Sequence, residues 1–139
     1  MTRLVRRFAF NAAHVLARPD WTDERNRAVY GKCANPASHG HSYAFELAFE
    51  GEVDPRTGQL VPPAELERLV ADEVLAPLDG RLLNRDVPAF ARAVPTAENI
   101  ARHIWDTLAG RLAPAKLVAV RLFETRNNSV EYTGGEKPL

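Results

Sequence analysis

His39-Gly40-His41-Ser42-Tyr43-Ala44-Phe45-Glu46-Leu47-Ala48-Phe49-Glu50 is the stretch from which the rest of the chain is read. From His41 to Glu50 apolar and polar residues alternate. Tyr43, Phe45, Leu47 and Phe49 fall on one face at period two, the pattern of a half-buried strand. The same period puts His39 and His41 on one side of extended chain, where two imidazoles can grip one ion, and Gly40 lets neighbouring backbone approach closely. A His-x-His pair is also a common surface feature, so its neighbours decide its meaning. Cys33 lies shortly before the pair, Asn35-Pro36 makes a tight connection to it, and His14 follows the apolar run Leu4–Phe10, read as the first strand. If the two strands lie side by side, three neutral imidazoles with a vacant fourth position describe a catalytic zinc site.

Outward from this centre the chain alternates simple elements. Arg18–Arg27 is polar, with Pro19, Asp20 and mixed charges, and reads as a loop. Gly51–Gly58 is a turn-rich connection. Pro62 and Pro63 open a helix whose Leu66, Leu69, Val70 and Val74 share a face and which Pro77 ends. Thr96 caps a second helix, with Glu98 in its first turn, Ile100, Ile104 and Leu108 as its buried stripe and Trp105 flanking it; Pro114 closes it. Leu117–Glu124 reads as a strand, Asn127-Asn128 as a turn, and Ser129–Tyr132 as the returning strand of a hairpin. Two strands, two helices and two strands predict an α+β fold, a four-stranded antiparallel sheet with both helices on one face. Such a layer leaves an uncovered face and open edges, which assembly with copies of itself would cover.

The bulk numbers fit one domain spanning 1–139, with 45% hydrophobic and 26% charged residues. Eighteen basic residues balance eighteen acidic ones, and no charge run suggests a nucleic-acid or membrane surface. No stretch has the length of a membrane span, and the basic N-terminus lacks a following apolar run of signal-peptide length, so a soluble cytoplasmic protein is expected. The single cysteine excludes an intrachain disulfide and leaves Cys33 as a buried apolar residue, a ligand or a nucleophile.

The stretch Tyr30-Gly31-Lys32-Cys33-Ala34-Asn35-Pro36-Ala37-Ser38-His39-Gly40-His41-Ser42-Tyr43 resembles the Gly-Lys-Cys-x-Asn-Pro-x-x-His-Gly-His-x-Tyr segment of the 6-pyruvoyl-tetrahydropterin synthase family. Phe10–His14, Leu78-Asp79, Asp86-Val87-Pro88, Pro95–Asn99 and Glu124–Asn128 match further pieces in the same order. The resemblance implies a tunnelling fold assembled as trimers that stack into hexameric barrels. It implies zinc held by His14, His39 and His41, and 7,8-dihydroneopterin triphosphate as substrate. Cys33 matches the catalytic cysteine and Asp79 the aspartate of its proton relay. Glu124 matches the carboxylate that anchors the pterin, since adjacent N–H donors can be accepted by one carboxylate. Glu98 matches a second pterin contact, although a first-turn charge serves the helix anyway, and Thr96 is either a ligand contact or only the cap.

One position departs from the pattern. The family reads Leu-Asp-His where this chain reads Leu78-Asp79-Gly80, so the expected imidazole is missing. Loss of a positioned acid/base group costs on the order of 10² to 10⁴ in rate. His103, in the second helix, is read as a surface residue. Two rivals follow: the related 6-carboxytetrahydropterin synthase activity of the queuosine pathway, against which the five residues between Cys33 and His39 weigh, and pterin binding without turnover.

Overall fold

The computed structural model describes residues 1–139. Strand β1 (Thr2–His14) runs antiparallel to β2 (His39–Gly51) along its whole length, with Thr2 opposite Gly51 and His14 opposite His39. Between them lie helix α1 (Asp23–Tyr30) and a 3-10 turn, Gly31–Ala34. Helix α2 (Pro63–Val70) continues through a π turn, Ala71–Leu75, to Leu78. A two-residue strand, β3 (Arg81–Leu82), precedes helix α3 (Ala97–Leu108), and strands β4 (Lys116–Thr125) and β5 (Asn128–Tyr132) complete the sheet in the order β3-β1-β2-β4-β5.

The expected α+β class holds, but the sheet has five strands rather than four and is mixed rather than antiparallel. β3 runs parallel to β1, pairing Ala12 with Arg81 and Ala13 with Leu82. Two residues give no periodic signal; the strand exists because the end of α2 is tied to β1, with Gly80 N–H donating to Asn11 O at 2.7 Å. The stretch Arg18–Arg27, expected as a loop, contains most of α1. Thr22 caps it, its Oγ1 accepting from Arg25 N–H at 3.1 Å, with Asp23 and Glu24 in the first turn. Asn26, its only buried residue, docks it by accepting from Arg18 N–H and donating to Arg18 O. Pro77 sits inside the final turn instead of stopping the helix before it. Its missing N–H and its ring disturb the ladder, and the widened turn, with Ala76 N–H bonded to Ala71 O, accommodates them.

One core occupies the inner face of the sheet. Phe10 and Ala12 of β1 and Tyr43, Phe45, Leu47 and Phe49 of β2 meet Leu66, Val70 and Val74 of the long helix and Ile100, Ile104 and Leu108 of α3. The period-two face of β2 and the stripe of α3 are therefore buried as expected. The outer face is polar, with Arg3 bonded to Glu50 at 3.1 Å and the Arg7 guanidinium 4.5 Å from the centre of the Phe123 ring. No helix is long and apolar enough to cross a membrane.

Ile104 is fully buried in this core. Ile104→Ala is expected to lower unfolding free energy by about 2–5 kcal/mol, read as a lower denaturant midpoint at unchanged slope. A smaller loss would mean that α3 repacks freely on the sheet.

Candidate metal centre

The strand register builds the centre. His14 and His39 are direct cross-strand partners, and His41 stands opposite Ala12, whose small side chain leaves room for the ring. All three side chains point to the core face at the end of the sheet. Their ligating nitrogens lie within 4.8 Å of one another, and His14 Nε2 is 2.9 Å from His39 Nε2. The expected trio is thus brought together.

Packing fixes which nitrogens are offered. His14 is fully buried, and its Nδ1 lies 2.8 Å from Pro95 O. A carbonyl only accepts, so Nδ1 carries the hydrogen and Nε2 keeps its lone pair toward the cluster. Tyr43 Oη lies 3.2 Å from the same Nδ1. Burial, opposed by the Pro95 bond and helped by the two neighbouring histidines, lowers the His14 pKa from 6.5 to about 4. His39 is lowered as well, by burial first and then by His41. Burial pushes the Tyr43 phenol well above its ordinary range. His41 Nε2 is buried without a hydrogen-bond partner, a state that costs about 1–3 kcal/mol. A cation bound among the three nitrogens would supply the missing partner, so these residues fit a metal ion. Neutral imidazoles are the ligand form, and burial favours that form for His14 and His39.

The other expected residues lie at varying remove. Cys33 is half-buried in the 3-10 turn, and its carbonyl accepts from Leu16 N–H at 2.8 Å, holding the turn against the chain just beyond His14. Glu124, at the end of β4, accepts from Asn128 Nδ2 at 3.4 Å, and its charge is felt by both His39 and Tyr43. Thr96 is engaged as the cap of α3, Oγ1 accepting from Asn99 N–H at 3.2 Å, and Glu98 is exposed in the first turn. Asp79 Oδ1 accepts from Asn11 N–H at 2.9 Å at the edge of β1, and no hydrogen bond joins it to Cys33 or to the histidines. Gly80 has φ +72°, and a Cβ built there would meet nothing within 4 Å. His103, expected on the surface, is partly buried against Phe90 at 5.2 Å between ring centres, and burial lowers its pKa.

Two members of the centre escaped the sequence reading. Tyr43 was placed on the core face without a link to His14, though its spacing of two from His41 carried that signal. The Pro95 carbonyl had none, being main chain 81 positions from His14.

The metal-free protein has a definite pH dependence. Folded His14 stays neutral down to about pH 4, whereas the unfolded imidazole protonates near 6.5. The unfolded state therefore takes up the proton first as pH falls, and stability present above 6.5 declines toward 4. The Tm of chelator-treated protein is expected to fall across that window, with a shallower fall in His14→Gln. Equal slopes would assign the effect to other groups.

The chain matches, over residues 3–135, the family model described as 6-pyruvoyl tetrahydropterin synthase. It is 43% identical over 129 residues to 6-pyruvoyl tetrahydrobiopterin synthase from Pongo abelii, and 42% to that from Homo sapiens. Each of these alignments covers 93% of this chain and 89% of the relative. The structure of Caenorhabditis elegans 6-pyruvoyl tetrahydropterin synthase superposes with a TM-score of 0.91 at 34% identity, covering 96% of both chains. A histidine trio that could hold a metal ion, set in this fold, with agreement along nearly the whole sequence, places the chain in the 6-pyruvoyl tetrahydropterin synthase family of enzymes.

Proposed function

We propose that this chain is a zinc-dependent carbon–oxygen lyase that eliminates triphosphate from 7,8-dihydroneopterin triphosphate to give 6-pyruvoyl-tetrahydropterin. The observation that carries the reading is the convergence of His14, His39 and His41 around the partnerless His41 Nε2, in a chain of this family. Zinc is the metal of choice for three neutral imidazoles and, when bound, would polarise side-chain oxygens of the substrate. Cys33, as thiolate, takes a proton from the substrate side chain. Glu124 anchors the pterin through paired N–H donors, with Glu98 as a second contact and Thr96 shaping the wall through its cap. We assign the whole of 1–139 to one cytoplasmic domain acting in a homo-oligomeric barrel of trimers or hexamers.

Asp79 is the second catalytic candidate, and Gly80 sets its limits. Glycine at φ +72° just past a helix is a C-terminal cap that needs no catalytic explanation. A Cβ there would meet nothing within 4 Å, and although a side chain at this positive φ is strained, histidine is among the residues enriched in this backbone region. The reading is therefore a lyase of reduced rate, and Gly80 equally motivates the reading of a pterin-binding protein without turnover. The 6-carboxytetrahydropterin synthase alternative differs in its products.

Purified protein is expected to hold one zinc per chain and to lose it in His39→Ala. Given 7,8-dihydroneopterin triphosphate, it should release triphosphate slowly, and Gly80→His should be faster by on the order of 10²-fold or more if the imidazole position is catalytic. Mass spectrometry names the branch, because acetaldehyde accompanies the carboxy product. Absence of metal would remove the zinc reading, and intact substrate with both proteins would leave pterin binding alone.

A further inference from the structure

β1 stops at His14 because β2 begins at His39 and the ladder between them runs out. The next residues, Val15–Arg18, belong to no strand or helix, yet Val15, Leu16 and Ala17 are half-buried. Buried main-chain groups need hydrogen-bond partners. Two asparagine side chains supply them at either end of the segment. Asn84 Oδ1 accepts from Val15 N–H at 2.8 Å, and Asn84 Nδ2 donates to Val15 O at 2.9 Å. Asn26 of α1 treats Arg18 in the same way, accepting from its N–H at 2.9 Å and donating to its carbonyl at 3.1 Å.

Asn84 stands in for a strand. β3 pairs Arg81 with Ala12 and Leu82 with Ala13, and Asn84 meets Val15 at the same offset of 69 residues. By then the chain has entered the helical turn Leu83–Asp86, so its peptide groups have left the ladder. A side-chain amide offers an acceptor and donors as a peptide does, and Asn84 thereby carries the pairing past His14. Between the two clamps lies Leu16, whose N–H donates to Cys33 O at 2.8 Å. That bond ties the 3-10 turn to a residue two positions from His14. The Cys33 side chain is near enough to the core face for its charge to be felt by the Tyr43 phenol, whose Oη lies 3.2 Å from His14 Nδ1.

We propose that Asn84 is a positioning residue that sets where the Cys33 thiol stands relative to His14, His39 and His41. It holds Val15 by both main-chain groups, which fixes the direction of Leu16 N–H, and that N–H holds the Cys33 turn. Asn84 itself makes no hydrogen bond to Cys33 or to any histidine; its bonds go to Val15. Asn26 secures the far end of the same segment. The catalytic meaning of the thiol's place rests on the lyase reading, in which Cys33 takes the substrate proton.

Cys33 is the single cysteine, so a trifluoromethyl label can be placed on it alone and followed by fluorine NMR with Co(II) in the histidine trio. The unaltered protein is expected to give one paramagnetically shifted line. In Asn84→Asp a second acceptor faces Val15 O and repels it, and in Asn84→Ala both bonds are gone. In each the line should broaden, split or move toward its cobalt-free position while Co(II) content stays the same. Ile104→Ala lowers stability without touching the clamp and should leave the line in place, which separates positioning from a general loss of stability. An unshifted line in the unaltered protein, the same line in the Asn84 variants, an equal change in Ile104→Ala, or loss of Co(II) from the Asn84 variants overturns the inference. Triphosphate release by unlabelled, zinc-loaded protein is measured separately. Under the lyase reading, kcat of Asn84→Asp should fall on the order of tenfold with KM little changed. A moved line beside an unchanged kcat overturns the positioning role. No release by the unaltered protein removes the lyase reading, and the line then decides the clamp alone. Release with an unmoved line removes the clamp and leaves the lyase.

Discussion

The register of β1 against β2 is the constraint on which the centre depends. It sets His14 opposite His39 and gives His41 the small Ala12 for a partner. Because side chains alternate at period two, a slip by one residue would carry one strand's imidazoles to the polar outer face and separate the trio. The slip would also expose Phe8 and Phe10 or Phe45 and Leu47, so the hydrophobic core and the metal site select the same pairing. Core packing thereby pins the ligands of a site at its rim.

That arrangement stores unfavourable terms in the metal-free chain. A buried imidazole nitrogen lacks a partner, and His14 is buried deeply enough to resist protonation. The cost is borne by the long paired arms of the sheet and the apolar face of β2, which fix the rings before any ion arrives. Preorganisation of this kind spends fold stability on ligand geometry.

How much of this was legible follows from what each element offers to a reader of residues. β2 and α3 announce themselves because each buries one periodic face, and His39 and His41 inherit their common side from the strand. His14 is legible only with the β1–β2 pairing assumed. α1 is hidden because it buries a single residue, the polar Asn26, and so carries no apolar stripe. β3 is hidden because its two residues are recruited by main-chain bonds at the end of a helix, and the π turn because it answers a proline tolerated inside the helix. Motif resemblance reached Cys33, Glu124 and Asp79, but where Asp79 sits relative to Cys33 is a matter of the fold alone.

The acceptor that orients His14 is the Pro95 carbonyl, a main-chain atom, and no side-chain substitution can delete it. What mutation can change is the path of the backbone that aims it. Val94 O, one peptide away, accepts from Thr96 N–H and from Asn99 Nδ2, each at 2.8 Å. Heritable tuning of the buried His14 ring therefore runs through Asn99 on the first turn of α3, a residue with no hydrogen bond to any histidine. Over generations, drift at that position would alter the aim of the imidazole while all three histidine side chains stayed the same.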